Sequence, residues 1–169
     1  MTDRRGVMSK KNKFIAVSLF IIYILVLTWI IIFKTMPYLT YMPARSLNLI
    51  PFKGTAVYNG RYDYRELVGN IIIFIPFGVF ISMAVRKFNL VAAFVYGAVL
   101  SFIYETIQYI LVCGAADITD VIMNTAGALI GAIVYLIFKA IFKNKHIEVI
   151  NAIGIVMLLM LIAFFVMQR

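Results

Sequence analysis

Five stretches of this chain stay apolar for about as long as a helix needs to cross a bilayer, roughly 20 residues at 1.5 Å each. They cover residues 14–33, 67–85, 90–112, 119–138 and 147–167. In lipid every backbone polar group must be satisfied within the protein, and a single segment achieves that only as a helix. The pattern predicts an all-α integral membrane protein, a five-helix transmembrane bundle. Composition agrees: 64% of the residues are hydrophobic, and a soluble domain needs far more polar surface.

Basic residues set the expected orientation, since cytoplasmic loops collect Lys and Arg. With the N-terminus inside, the cytoplasmic segments hold Arg4, Arg5, Lys10, Lys11, Lys13, Arg86, Lys87, Lys139, Lys143 and Lys145, ten in all. The outside holds Lys34, Arg45, Lys53, Arg61, Arg65 and Arg169, six in all. The N-terminus is therefore expected in the cytoplasm and the C-terminus outside. Residues 1–13 resemble the n-region of a signal peptide, but a cleaved signal has an apolar core of only about 7 to 15 residues. The 20-residue core at 14–33 reads as a retained first span. A basic cytoplasmic segment (1–13), the first span (14–33), an outer loop (34–66), a core of three spans (67–142) and a last span (143–169) follow. The net charge of +9 is accounted for by topology, so no nucleic-acid partner is expected. The single Cys113 cannot form an internal disulfide. His146, among basic residues, is expected to be solvated.

Polar residues interrupt these spans, and a charge at mid-bilayer costs about 2.5 to 3.5 kcal/mol or more. Ser101, Glu105 and Gln108 follow i, i+4, i+7 and share one face of the third span. Asp117, Asp120, Asn124, Gly127 and Gly131 form a stripe on the fourth. Asn70 lies near the start of the second. In the expected orientation all three groups reach the outer leaflet, with Glu105 roughly 10 Å below its surface. Arg45, Asn48 and Arg61 lie on the adjoining loop.

Plainer readings stand beside this one. Asp117 or Thr119 can cap the fourth span. Gly127 and Gly131 have the spacing of a helix-packing seam, and Asn70 and Asn124 can be interhelical glue worth about 0.6 kcal/mol each. Pro76 reads as a tolerated kink. Glu105 is too deep to cap a helix and must be protonated or paired; a Glu–Arg pair tying loop to bundle is one such arrangement.

Four segments, "RSLNLIPF" (45–52), "GNIIIFIPFG" (69–78), "SFIYETIQ" (101–108) and "DITDVIMNTAGALIG" (117–131), resemble in order and spacing the signature segments of VanZ-like proteins. The resemblance implies a polytopic protein of the bacterial plasma membrane, in a family whose named member is associated with low-level resistance to the glycopeptide teicoplanin. It carries over Arg45, Asn48, Asn70, Glu105, Gln108, Asp117, Asp120 and Asn124 as signature polar positions. Many relatives place an Arg before the first Asp of the last segment; this chain reads "CGAAD" (113–117) and must supply such a contact from elsewhere or lacks it.

Three functions fit. The first is a polar pocket in the outer leaflet that binds or modifies a membrane lipid or lipid-linked cell-wall precursor. Arg45 and Arg61 or Arg65 would meet its phosphate, and Asn48, Asn70, Gln108 and Asn124 would line the site. Glu105, Asp117 and Asp120 would act as acid/base groups or as oxygen ligands for Mg2+ or Ca2+. Zinc suits the residues poorly, with one His and one Cys. Whether such a site catalyses anything stays open. The second is a small transporter or flippase, disfavoured by apolar inner halves of the spans unless the chain oligomerises. The third is a structural or partner-binding protein in which the polar residues hold the bundle together.

Overall fold

The computed structural model describes residues 9–33, 47–53, 57–58, 61–62, 64–85, 90–112 and 116–167. Helix α1 (Lys10–Phe33) precedes a connecting segment with three two-residue strands, β1 (Leu47–Asn48), β2 (Val57–Tyr58) and β3 (Arg61–Tyr62). Then come α2 (Arg65–Ala84), α3 (Leu90–Leu111), β4 (Ala116–Asp117) and α4 (Ile118–Phe142). A 3-10 turn (Lys143–Lys145) leads into α5 (His146–Met167). Each apolar stretch lies within a helix or overruns it by one residue.

The number of spans differs from expectation. Four helical runs, not five, are long and apolar enough to cross a membrane, because α4 and α5 join into one run, Ile118–Ala163, of 46 residues. The join is a reversal. Tyr135 Oη and His146 Nε2 stand 3.4 Å apart, although eleven residues of straight helix would separate their backbones by about 16 Å. Lys143 turns the chain with φ +47°, and its carbonyl accepts from the backbone N–H of His146. The imidazole Nδ1 closes on the same carbonyl. His146 is therefore not solvated: it is 9% exposed, wedged edge-on against Tyr135.

Helices α2 and α4 run side by side in the same direction, and the glycines explain how closely. A Cβ on Gly127 would strike the carbonyl oxygen of Ile71, one on Gly131 that of Ile75, and one on Gly78 that of Ala128. Small residues let two backbones approach in lipid, where dispersion rather than water drives packing. The Gly127–Gly131 stripe is thus a seam against α2.

Helix α3 runs against α4, with Ser101 beside Asn124 and Glu105 beside Asp117. Helix α1 lies along α3, where the Thr28 hydroxyl meets the Tyr104 hydroxyl at 2.8 Å and Gln108 Nε2 donates to the Ile31 carbonyl at 3.2 Å. Leu27, Ile31, Phe74, Phe77, Tyr104 and Ala128 form the buried core where these four helices meet. Tyr23 Oη donates to the Ile73 carbonyl at 2.7 Å, tying α1 to α2 in the turn before Pro76.

Removing the hydroxyls by Thr28→Val and Tyr104→Phe should show a coupling of about 0.6 kcal/mol in a double-mutant cycle of unfolding in mixed micelles. A coupling of zero would mean that the Thr28–Tyr104 bond adds nothing to the docking of α1.

Candidate functional site

The polar groups of α2, α3 and α4 gather at the end of the bundle where the segment connecting α1 to α2 returns to it. Strand β1 pairs in parallel with β4, Leu47 opposite Ala116 and Asn48 opposite Asp117. This pairing fixes the connecting segment to the start of α4. Asp117 holds the junction. Its Oδ1 accepts from the backbone N–H of Thr119 at 2.7 Å, capping α4. Its Oδ2 accepts from Asn48 Nδ2 at 2.9 Å, and its own N–H donates to Glu105 Oε2 at 2.8 Å. One residue thus joins loop and helix cap through its carboxylate and α3 through its backbone N–H.

Thr119 extends the knot. Its Oγ1 accepts from the backbone N–H of Phe52 at 3.0 Å, while Lys53 N–H closes on the Ile50 carbonyl at 3.2 Å. Phe52 sits at φ +62°, uncommon for a bulky side chain, and the Thr119 bond helps hold it there. By its place in the sequence Thr119 reads only as a helix cap. Its threonine–aspartate pair at a helix start signals capping, but nothing local signals a bond to a residue 67 positions away.

The other predicted residues divide into separate contacts. Asn70, 4% exposed, donates from Nδ2 to Asp120 Oδ1 at 2.6 Å, joining α2 to α4 beside the knot. Asn124, 3% exposed, donates to Ser101 Oγ at 2.8 Å, about 6 Å deeper by helix rise. Gln108 turns to α1 through the Ile31 carbonyl. Glu105 is 6% exposed and, on the face it shares with Ser101, meets the head of α4. Arg61 lies in β3 with its backbone opposite Tyr58; its side chain, and Arg45 altogether, lie outside the described residues.

Chemically this is a partly buried patch rich in carboxylates, each already accepting from an N–H donor. Among the described residues no group of three or more His, Cys, Asp or Glu is placed to hold a metal ion. His146 lies at the far end of α4 and cannot serve Glu105 as a base.

The VanZ/LLP1 family model matches residues 20–139, a range that holds the seam and the whole polar knot. The chain is 34% identical over 157 residues to Protein VanZ of Enterococcus faecium, an alignment covering 90% of this chain and 94% of that relative. No solved structure matches it.

Proposed function

The chain belongs to the VanZ/LLP1 family, and on that premise we propose that it is a multi-pass protein of the bacterial plasma membrane whose outer polar site binds a lipid-linked envelope component and so alters teicoplanin susceptibility. One observation carries the reading: the buried Glu105 and Asn70 and the half-buried Asp117 and Asp120, from α2, α3 and the head of α4, converge where the outer segment docks. Groups that only glued helices together would be expected at scattered depths. Arg45 and Arg61, on the segment anchored by β1, would receive a phosphate as bidentate forks.

The proposed topology has five crossings, N-terminus inside and C-terminus outside. A run of 46 residues would be about 69 Å long as a straight helix, against a hydrocarbon core of about 30 Å. Helix α5 instead turns back and lies along α1, with Asn151 beside Asn12 and Gly154 beside Leu19. The ten-to-six basic count supports the orientation.

The proposed role of the site is binding. A second reading, scaffold without ligand, is favoured by the internal bonds of Asp117 and Asp120.

Glu105→Gln separates the two. Its amide oxygen can still accept from Asp117 N–H, so the fold should survive while the charge is lost. Cells carrying Glu105→Gln or Asp120→Asn should show normal membrane levels of the protein and lose the teicoplanin phenotype of wild type. Retained protection at equal levels would leave scaffolding as the role of these carboxylates.

A further inference from the structure

A second concentration of charge, this time positive, lies at the other end of the bundle. Helix α4 has 25 residues and is about 37 Å long, so Lys139, Lys143 and Lys145 stand a bilayer's thickness from Asp117. Lys10, Lys11 and Lys13 open α1 and reach the same end through Asn12. That residue's Nδ2 donates to Glu148 Oε1 at 3.5 Å, and its carbonyl accepts from Asn151 Nδ2 at 3.1 Å. All six lysines are exposed. The acidic residue described among them is Glu148, and it is engaged with Asn12.

The platform under these charges is fixed. The reversal at Lys143, the His146 ring on its carbonyl and the Tyr135 edge beneath hold the hairpin lysines on a set backbone. The last carbonyls of α4 point the negative end of its dipole at the same corner, which favours cations there. Immediately beside the lysines, Phe14 and Ile141 expose 75% and 65% of their surface. A partner must therefore pair negative charge with apolar surface. A nucleic acid or a free phosphate offers only the first.

We infer that this corner binds the phosphodiester head group of an anionic phospholipid, whose acyl chains lie against Phe14 and Ile141. Lysines near an anionic leaflet each strengthen such binding by about fivefold, and salt screens the effect within about 8 Å at physiological strength. The site is independent of the carboxylate end and of what that end binds.

The test reconstitutes the full chain in phosphatidylcholine vesicles with trace spin-labelled phosphatidylglycerol or spin-labelled phosphatidylcholine. The fraction of each lipid immobilised at the protein gives their relative association. Wild type should favour phosphatidylglycerol about fivefold or more at low salt, with the preference collapsing in high salt. The triple variant Lys139→Gln, Lys143→Gln, Lys145→Gln should lower the ratio several-fold, with Lys10, Lys11 and Lys13 left in place. The corresponding triple Arg variant, which keeps the charge, should retain it, and Lys53→Gln at the opposite end should leave it unchanged. A wild-type ratio of one, or an undiminished ratio in the Gln variant with native helicity, overturns the inference. Lysine-dependent capture of added polyglutamate with no lipid preference would overturn it too, in favour of an acidic protein segment as partner.

Discussion

Gly131→Val should leave little folded protein in detergent, lowering stability by about 3 kcal/mol, the upper part of the range for overpacking. The obstacle is rigid. A Cβ at Gly131 meets the Ile75 carbonyl and comes close to the Gly78 Cα, and backbone atoms of a neighbouring helix cannot rotate aside. Gly127→Ala should be damaging for the same reason, against Ile71. The series contains its own controls. A Cβ at Gly69 meets nothing within 4 Å, so Gly69→Ala should be neutral or stabilise by up to about 1 kcal/mol through helix propensity. At Gly154 the nearest atom is Leu19 Cδ1, 3.0 Å away, the end of a side chain that can turn. Gly154→Ala should therefore be tolerated. Thermal unfolding followed by size-exclusion fluorescence would rank the four; equal effects at Gly131 and Gly69 would refute the seam.

Asp117→Ala should be the most damaging polar substitution, by about 2 to 3 kcal/mol. Loss of a helix N-cap alone costs about 0.5 to 2 kcal/mol, and here the substitution also strips Asn48 Nδ2 of its acceptor, adding a desolvated donor. Asn48→Ala should cost less and combine with Asp117→Ala non-additively, with a coupling near 1 kcal/mol. Additive losses would show that β1 is held by its backbone pairing alone. The distinction bears on function: if Asp117 is chiefly the peg that fixes the segment between α1 and α2, its loss weakens any ligand site indirectly. Glu105→Gln remains the cleaner probe of chemistry.

Helix positions were legible because the hydrophobic run is a local property. The stretch 90–112 became Leu90–Leu111, and 119–138 lies within Ile118–Phe142. The shared faces were legible too, since 3.6 residues per turn fixes which residues align. Ser101 and Glu105 both turn toward α4, and Gly127 and Gly131 both turn toward α2. Gln108 departs: it lies on the same α3 face yet its amide reaches α1. A long side chain between two neighbours takes whichever acceptor packing brings near, which spacing does not encode.

His146 shows the other limit. Its basic neighbours suggested solvent, but the hairpin folded the ring inward between Tyr135 and the Lys143 carbonyl. The same reversal fused α4 and α5 into one apolar run, where hydropathy with an intervening basic stretch suggested two.

By itself the sequence determined that this chain lives in lipid as helices, where each helix lies, and which polar residues share a face, because burial in a bilayer and helical period act on neighbouring residues. The tertiary structure alone decided the partners: α2 for the glycine stripe, Asn48 and Glu105 for Asp117, and the parallel pairing of β1 with β4. Those choices join segments as far apart as 69 residues and follow from which backbones can approach, a property of packed shapes that no single stretch of chain contains.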